Sequence, residues 1–244
     1  MKSIESIISR TIRFLVLPVV LLTVSLVAIA QEGGPAYINV RIVTVKADRI
    51  AQWESLQKEA TEAMAENGVG FRHIFQRMSG SLDTYVIITP EALVEIPVTE
   101  NWLAAISGTI VSRSSIRLQV YPDLFTLEEG GNAVPTRYLH TRLRTSAPGR
   151  RDDYHEWQRD ELIPALREAG VGDVRTLRIA LGGNLDTWVR FSFVDDMPGT
   201  GGNPVAESMG QQAMQRMIGR GADMVSQSSD YFDLFRSDLS FDAP

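Results

Sequence analysis

Two short strings of polar and aromatic residues are the best candidates in the sequence for doing chemistry. Tyr37, Asn39 and Arg41 recur far down the chain as Tyr138, His140 and Arg142, with Arg144 extending the second set. In both strings these residues alternate with others: Ile38, Val40 and Ile42 in the first, Leu139, Thr141 and Leu143 in the second. Such alternation puts each polar set on one face of a β-strand. Trp188 and Arg190 share a face with Asp186 and Ser192, against Val189, Phe191 and Phe193. Tyr85 stands where Trp188 does in a matching stretch of the first half. Guanidinium groups on an aromatic face can grip a carboxylate or another anion through charge-assisted hydrogen bonds. Tyr37, Asn39, Arg41, Tyr85, Tyr138, His140, Arg142, Trp188 and Arg190 are therefore the candidate ligand-binding residues. A small anionic or aromatic molecule is the candidate ligand. The rival reading is a structural network in which the arginines pair with Asp83 and Asp186, placed by the same alternation on their face.

Other chemistry is poorly supplied. His73, His140 and His155 are scattered, without metal-ligand spacing. His155-Glu156 begins like a zinc-protease helix, but Arg159 stands where the second histidine belongs. There is no Gly-x-Ser-x-Gly elbow. The glycines at 199, 201 and 202 lack the Lys-Ser/Thr of a phosphate loop and read as a surface insertion. Neither half shows a carboxylate pair for acid–base work. No catalytic residue and no metal site is named. The absence of cysteine excludes disulfides, thiolate ligands and cysteine nucleophiles.

The elements that must position these residues come in two copies. Asn67-Gly68-Val69-Gly70 is echoed by Ala169-Gly170-Val171-Gly172. Gly80-Ser81-Leu82-Asp83-Thr84-Tyr85-Val86 is echoed by Gly183-Asn184-Leu185-Asp186-Thr187-Trp188-Val189, and Val111-Ser112-Arg113-Ser114-Ser115 by Val225-Ser226-Gln227-Ser228-Ser229. The echoes keep their order, and the offset jumps once, across the glycine-rich stretch 197–204. Each copy reads as strand, helix, strand, strand, helix, strand. The first copy has strands at 37–45, 71–78, 82–89 and 115–121 and helices at 48–66 and 99–111. The second has strands at 138–145, 174–181, 185–194 and 230–235 and helices at 151–169 and 205–222. Trp53 and Trp157 read as core anchors of the two long helices. This order is the split βαβ, ferredoxin-like unit. One sheet face is left bare by the helices, and two such sheets can cover each other.

On that element order and repetition the chain resembles the dimeric α/β-barrel superfamily, which includes antibiotic-biosynthesis-type monooxygenases, haem-degrading enzymes and chlorite-dismutase-like haem proteins. The expected fold is α+β: two tandem ferredoxin-like βαββαβ repeats, residues 31–127 and 135–244, joined by a linker at 128–134 and closed into one intrachain α/β barrel. These polar faces are expected to look into the barrel, and the apolar face of Val189, Phe191 and Phe193 to meet the helices. The leading functional expectation is a small-ligand-binding barrel. The resemblance implies an alternative, a cofactor-free or haem-dependent monooxygenase or peroxidase-like enzyme, in which Tyr138, His140, Arg142 and Trp188 would orient substrate and stabilise charge. A third reading is a structural or protein-interaction module. No cofactor is predicted, and haem enters only through the resemblance, with His140 or His73 as its ligand.

The ends and the charge set the compartment and the partners. Lys2, Arg10 and Arg13 precede an uncharged apolar run from Phe14 to Ala30, and Ala28-Ile29-Ala30 is a small-x-small cleavage site. A signal peptide over 1–30 is expected, cleaved after Ala30, with a periplasmic or secreted product. The alternative is an uncleaved membrane anchor. The formal net charge is −6, and loss of the basic leader makes the remainder more acidic. An acidic chain has no electrostatic footprint for nucleic acid and no attraction to anionic lipid.

Overall fold

The computed structural model describes residues 35–91, 99–127, 135–197 and 202–242. The expected signal peptide, the linker at 128–134 and the glycines at 199 and 201 lie outside the described residues. No helix among the described residues is long and apolar enough to cross a membrane.

In the first half β1 (Tyr37–Val45) leads through a 3₁₀ turn (Ala47–Arg49) to α1 (Ile50–Glu66), then β2 (Phe71–Arg77), β3 (Thr84–Pro90), α2 (Glu100–Thr109) and β4 (Ile110–Phe125). The second half runs β5 (Tyr138–Ser146), α3 (Arg151–Trp157), a π-helical segment (Gln158–Leu162), α4 (Ile163–Glu168), β6 (Val174–Leu181), β7 (Thr187–Val194), α5 (Pro204–Met209), α6 (Gln211–Ala222) and β8 (Val225–Phe235). A short β9 (Phe241–Asp242) follows. Local signals account for the boundaries. Gly68 takes φ +76° just beyond α1, a left-handed position that favours glycine. Thr99 caps α2 by accepting a hydrogen bond from the Trp102 amide at 3.1 Å. Gly210, at φ +84°, breaks the expected 205–222 helix into α5 and α6. The last strand of each half is longer than expected, because its polar N-terminal residues pair with a neighbouring strand.

Every strand pairing is antiparallel. Within each half the order is β4-β1-β3-β2 and β8-β5-β7-β6. The halves join where β4 meets β6 and β2 meets β8, and these seams close the eight strands into a barrel with no open edge. At the first seam Gly182 passes so near β4 that a Cβ there would lie 2.2 Å from the Ser115 carbonyl oxygen.

The barrel has an apolar filling and two outer layers. Val40, Phe75, Val86, Leu118, Leu139, Leu177, Val189 and Phe191 pack together in the lumen, from seven strands. Trp53, Tyr85, Ile74, Ile87 and Ile106 form the layer under α1 and α2. Tyr154, Trp157, Leu162, Trp188, Met214 and Met217 form the layer under the second-half helices.

This corrects the expected facing. Val189, Phe191 and Phe193 point into the lumen. Tyr85, Arg41, Arg142, Trp188 and Arg190 lie on the opposite face, under the helices. The physical reason is partnership. Barrel closure packs the apolar strand faces against one another, while helix side chains such as Gln57 and Gln158 supply hydrogen-bond acceptors to the arginines on the other face.

Candidate functional site

The residues of one strand face in the second half are gathered under a helix. Arg142 and Arg144 on β5 and Arg190 on β7 form the floor of a cavity of about 430 Å³. Tyr154 and Trp157 of α3 and Leu162 of the π segment form one wall. Ile218, Gly221 and Ala222 of α6 form the other. Gly221 is required there, since a Cβ would come within 2.4 Å of the Trp157 ring. The indole nitrogen of Trp157 in turn donates to the Met217 carbonyl at 3.2 Å, tying the two walls together.

The charges in this cavity do not balance. Asp230 on β8 lies directly opposite Arg142 in the strand register. It accepts two hydrogen bonds from Nη2 of Arg144, at 3.1 and 3.2 Å, and lies 3.8 Å from Nε of Arg142. Arg190 has no carboxylate partner among the described residues. Its Nε donates to the Thr176 hydroxyl at 3.2 Å and its Nη2 to Oε1 of Gln158 at 3.1 Å, and it is also bonded to the Tyr154 hydroxyl. Three guanidinium groups thus face one carboxylate. Burial lowers the Arg190 pKa to about 10, which leaves it protonated at neutral pH. Burial also lowers that of Arg142. Gln158 is fully buried, and its Nε2 has no partner, so a further donor stands unused beside Arg190. Gln158 opens the π-helical segment, a local widening frequent at functional sites.

His140 stacks on Phe232, with ring centroids 4.0 Å apart. Burial, and then Arg142, push its pKa down to about 4, so it is neutral at pH 7. Its Nε2 accepts from Nε of Arg142 at 3.4 Å. His140 therefore orients Arg142 rather than adding charge.

Of the residues picked out by spacing, the structure gathers His140, Arg142 and Arg190 at one place. Trp188 lies beneath Tyr154 and His155, with its indole nitrogen bonded to the Ser146 hydroxyl at 3.2 Å. Tyr138 lies under the Arg137 guanidinium. The first-half members are elsewhere. Tyr37 sits under Arg117, Asn39 bonds the Pro90 carbonyl, and Tyr85 stacks on Trp53 at 4.2 Å while donating to Glu54. Arg41 lines a separate cavity of about 290 Å³ with Arg72 and Arg113. Neither Asp83 nor Asp186 pairs with these arginines. Asp83 is held by Ser81, and Asp186 lies 4.0 Å from Arg151. Sequence reasoning missed Asp230, Tyr154, Gln158 and Gly221. The first was legible in principle as the residue facing Arg142 across two paired strands.

Haem requires an axial ligand, and the residues here do not supply an imidazole. No histidine lines the cavity. His155, on the covering helix, turns to Tyr121 and lies 3.5 Å from Asp123. His73 sits on the lumen side of β2, bonded to Asp242 at 2.7 Å. No group of metal-ligating side chains occurs among the described residues.

No protein-family model matches the chain, and no curated protein matches it. Solved structures do. A candidate monooxygenase of Lactobacillus acidophilus superimposes with a TM-score of 0.60 at 10% identity, over 86% of this chain and 97% of that one. A candidate monooxygenase of Fusobacterium nucleatum gives 0.61 at 14% identity, over 83% and 93%. An anthrone oxidase-like protein gives 0.57 at 12% identity, over 86% and 94%. At these identities the likeness is one of fold. The chain has the dimeric α/β-barrel, ferredoxin-like fold, with both sheets of the barrel supplied by a single polypeptide.

Proposed function

We propose that the protein binds a small aromatic anion, a carboxylate or phenolate, in the cavity between the sheet and helices of its second half. One observation carries the reading: Arg142, Arg144 and Arg190 converge there with Asp230 as their sole carboxylate partner among the described residues. Buried cationic groups without counter-charge are costly, and an anion brought by a ligand would offset that cost. Tyr154 and Trp157 offer flat apolar walls to the rest of the molecule. Calorimetric titration with 2-naphthoate tests this. Binding that weakens with added salt and falls at least tenfold in Arg142→Gln is expected. Affinity unchanged in that variant would remove the proposal. The acidic chain is further proposed to work outside the cytoplasm. N-terminal sequencing of protein from the cell exterior should begin at Gln31, and an intact Met1 terminus would contradict cleavage.

A second reading uses the same cavity for oxygen chemistry. Some proteins of this fold are named as monooxygenases or as anthrone oxidase-like. Arginines that stabilise a phenolate also favour the electron-rich anion that reacts with oxygen. Oxygen uptake dependent on a phenolic substrate, and lost in Arg142→Gln, is the expected signature. Binding without oxygen uptake would leave the ligand-binding reading alone.

A further inference from the structure

The lumen of the barrel contains a second cavity, separate from the arginine cluster, of about 330 Å³. All eight barrel strands contribute to its lining. Its walls are aliphatic and aromatic, with Val40, Val86, Ile179, Val189 and Phe191 among them. Deeper in the lumen Phe75 packs on Phe193 and Phe235, with centroids 6.3 and 5.3 Å away, and closes one end. The cavity opens to solvent where the exposed Gln227, Ser228 and Ser229 line it, so a molecule can enter from that end. The cavity is about twice the size of the ~150 Å³ engineered cavity that takes up benzene.

The polar groups here differ from those of the outer cavity. Arg77 lines the lumen cavity and donates from Nε to Asp233 at 2.9 Å. The Asp233 side chain is 0% exposed and that of Arg77 13% exposed. The guanidinium lies 4.1 Å from the Tyr231 ring centroid. This charge is therefore already neutralised. The other titratable groups at the ends of the lumen are also paired, Arg175 with Asp173 and His73 with Asp242. One group in the lining is not satisfied: the hydroxyl of Thr141, buried and without a hydrogen-bond partner. A buried hydroxyl normally has one.

We propose that the barrel lumen is a distinct binding site for a compact, neutral, apolar molecule carrying one hydroxyl group. The aliphatic walls take its hydrocarbon body, and Thr141 exchanges a hydrogen bond with its hydroxyl. An anion is disfavoured, because the one cation in the lining is held by Asp233. This inference does not use the arginine cluster; the two cavities share only Gln227 and Ser228, at the exposed start of β8.

The test is calorimetric titration of the purified protein with 1-adamantanol, beside adamantane-1-carboxylate. One molecule of the alcohol should bind per chain, at least tenfold more tightly than the carboxylate. Val189→Phe, which fills the lumen, should weaken it more than tenfold. Thr141→Val keeps the shape, removes the hydroxyl, and should weaken it about fivefold. That variant decides the matter if the filled one does not fold. Arg142→Gln should leave alcohol binding unchanged, and Val189→Phe should leave 2-naphthoate binding unchanged. No binding of the alcohol up to its solubility limit would overturn the proposal. So would full affinity in Thr141→Val, or a loss in Arg142→Gln.

Discussion

The two halves build a cavity at the same level, between sheet and helices, and use it differently. Each places a glutamine on its long helix, Gln57 and Gln158, beneath which a buried arginine is held. In the first half that arginine is Arg72, from β2. Gln57 binds it through both side chain and carbonyl, and Thr61 adds a third contact, so the guanidinium is sealed at 3% exposure. Burial lowers its pKa to about 9. In the second half the arginine is Arg190, from β7, beside Arg142 and Arg144 on the cavity floor. The helix above the first cavity is regular. The one above the second widens into a π segment and leaves the Gln158 amide unpaired. The comparison teaches that one architecture can bury a cation for packing or hold it ready for a ligand. What separates the two is access: Arg72 is sealed at 3% exposure, whereas the Arg142 side chain stays 40% exposed on the cavity floor.

The largest effect that would sharpen this contrast is on stability. Trp53 is fully buried against Tyr85 in the first half. Trp53→Ala should cost about 3–5 kcal/mol in denaturant unfolding while leaving 2-naphthoate affinity in the folded protein intact. Loss of affinity at full occupancy of the folded state would break the division of labour between the halves.

A smaller effect is expected in acid. His140 occupies the position that Asn39 holds in the first half. Its pKa is lowered from 6.5 to about 4, chiefly by burial. The unfolded chain therefore takes up a proton between pH 6.5 and 4 that the native state refuses, and stability falls as pH drops through that window. The contribution lost is on the order of 3 kcal/mol. His140→Asn should flatten this limb, leaving the slope due to His73, whose pKa burial also lowers. Melting curves across the window would show it, and an unchanged limb would contradict the assignment.

Smaller again is the cost of crowding the second cavity. Gly221→Ala pushes a methyl group against Trp157 and should destabilise by about 1–3 kcal/mol. It should also narrow the cavity and weaken 2-naphthoate binding. Equal stability and affinity would mean that α6 does not approach the ring as described.

Most of the fold was legible, because its signals are local. The alternation of Tyr37–Val45, the glycine after α1 and the echoed hairpins each follow from backbone preference over a few residues. The facing of the strands was not legible, and the reason is particular. A barrel wrapped by helices covers both faces of every strand. Polarity along β5 or β7 therefore separates two faces without saying which one is inside. The structure brings His140, Arg142 and Arg190 together under the helices and not in the lumen, where they were expected. Asp230, Gln158 and Tyr154 come from other elements, and only the closed fold brings them to the arginines.

The central claim is that the accessible arginine cluster of the second half, and not the arginines of the matching first-half cavity, makes the ligand site. Its most direct test is to titrate 2-naphthoate into Arg41→Gln and Arg142→Gln side by side, since these two arginines hold matching places in the two halves. Unchanged affinity in the first variant and at least a tenfold loss in the second is the predicted result. An equal loss in both, or a loss confined to Arg41→Gln, would contradict it.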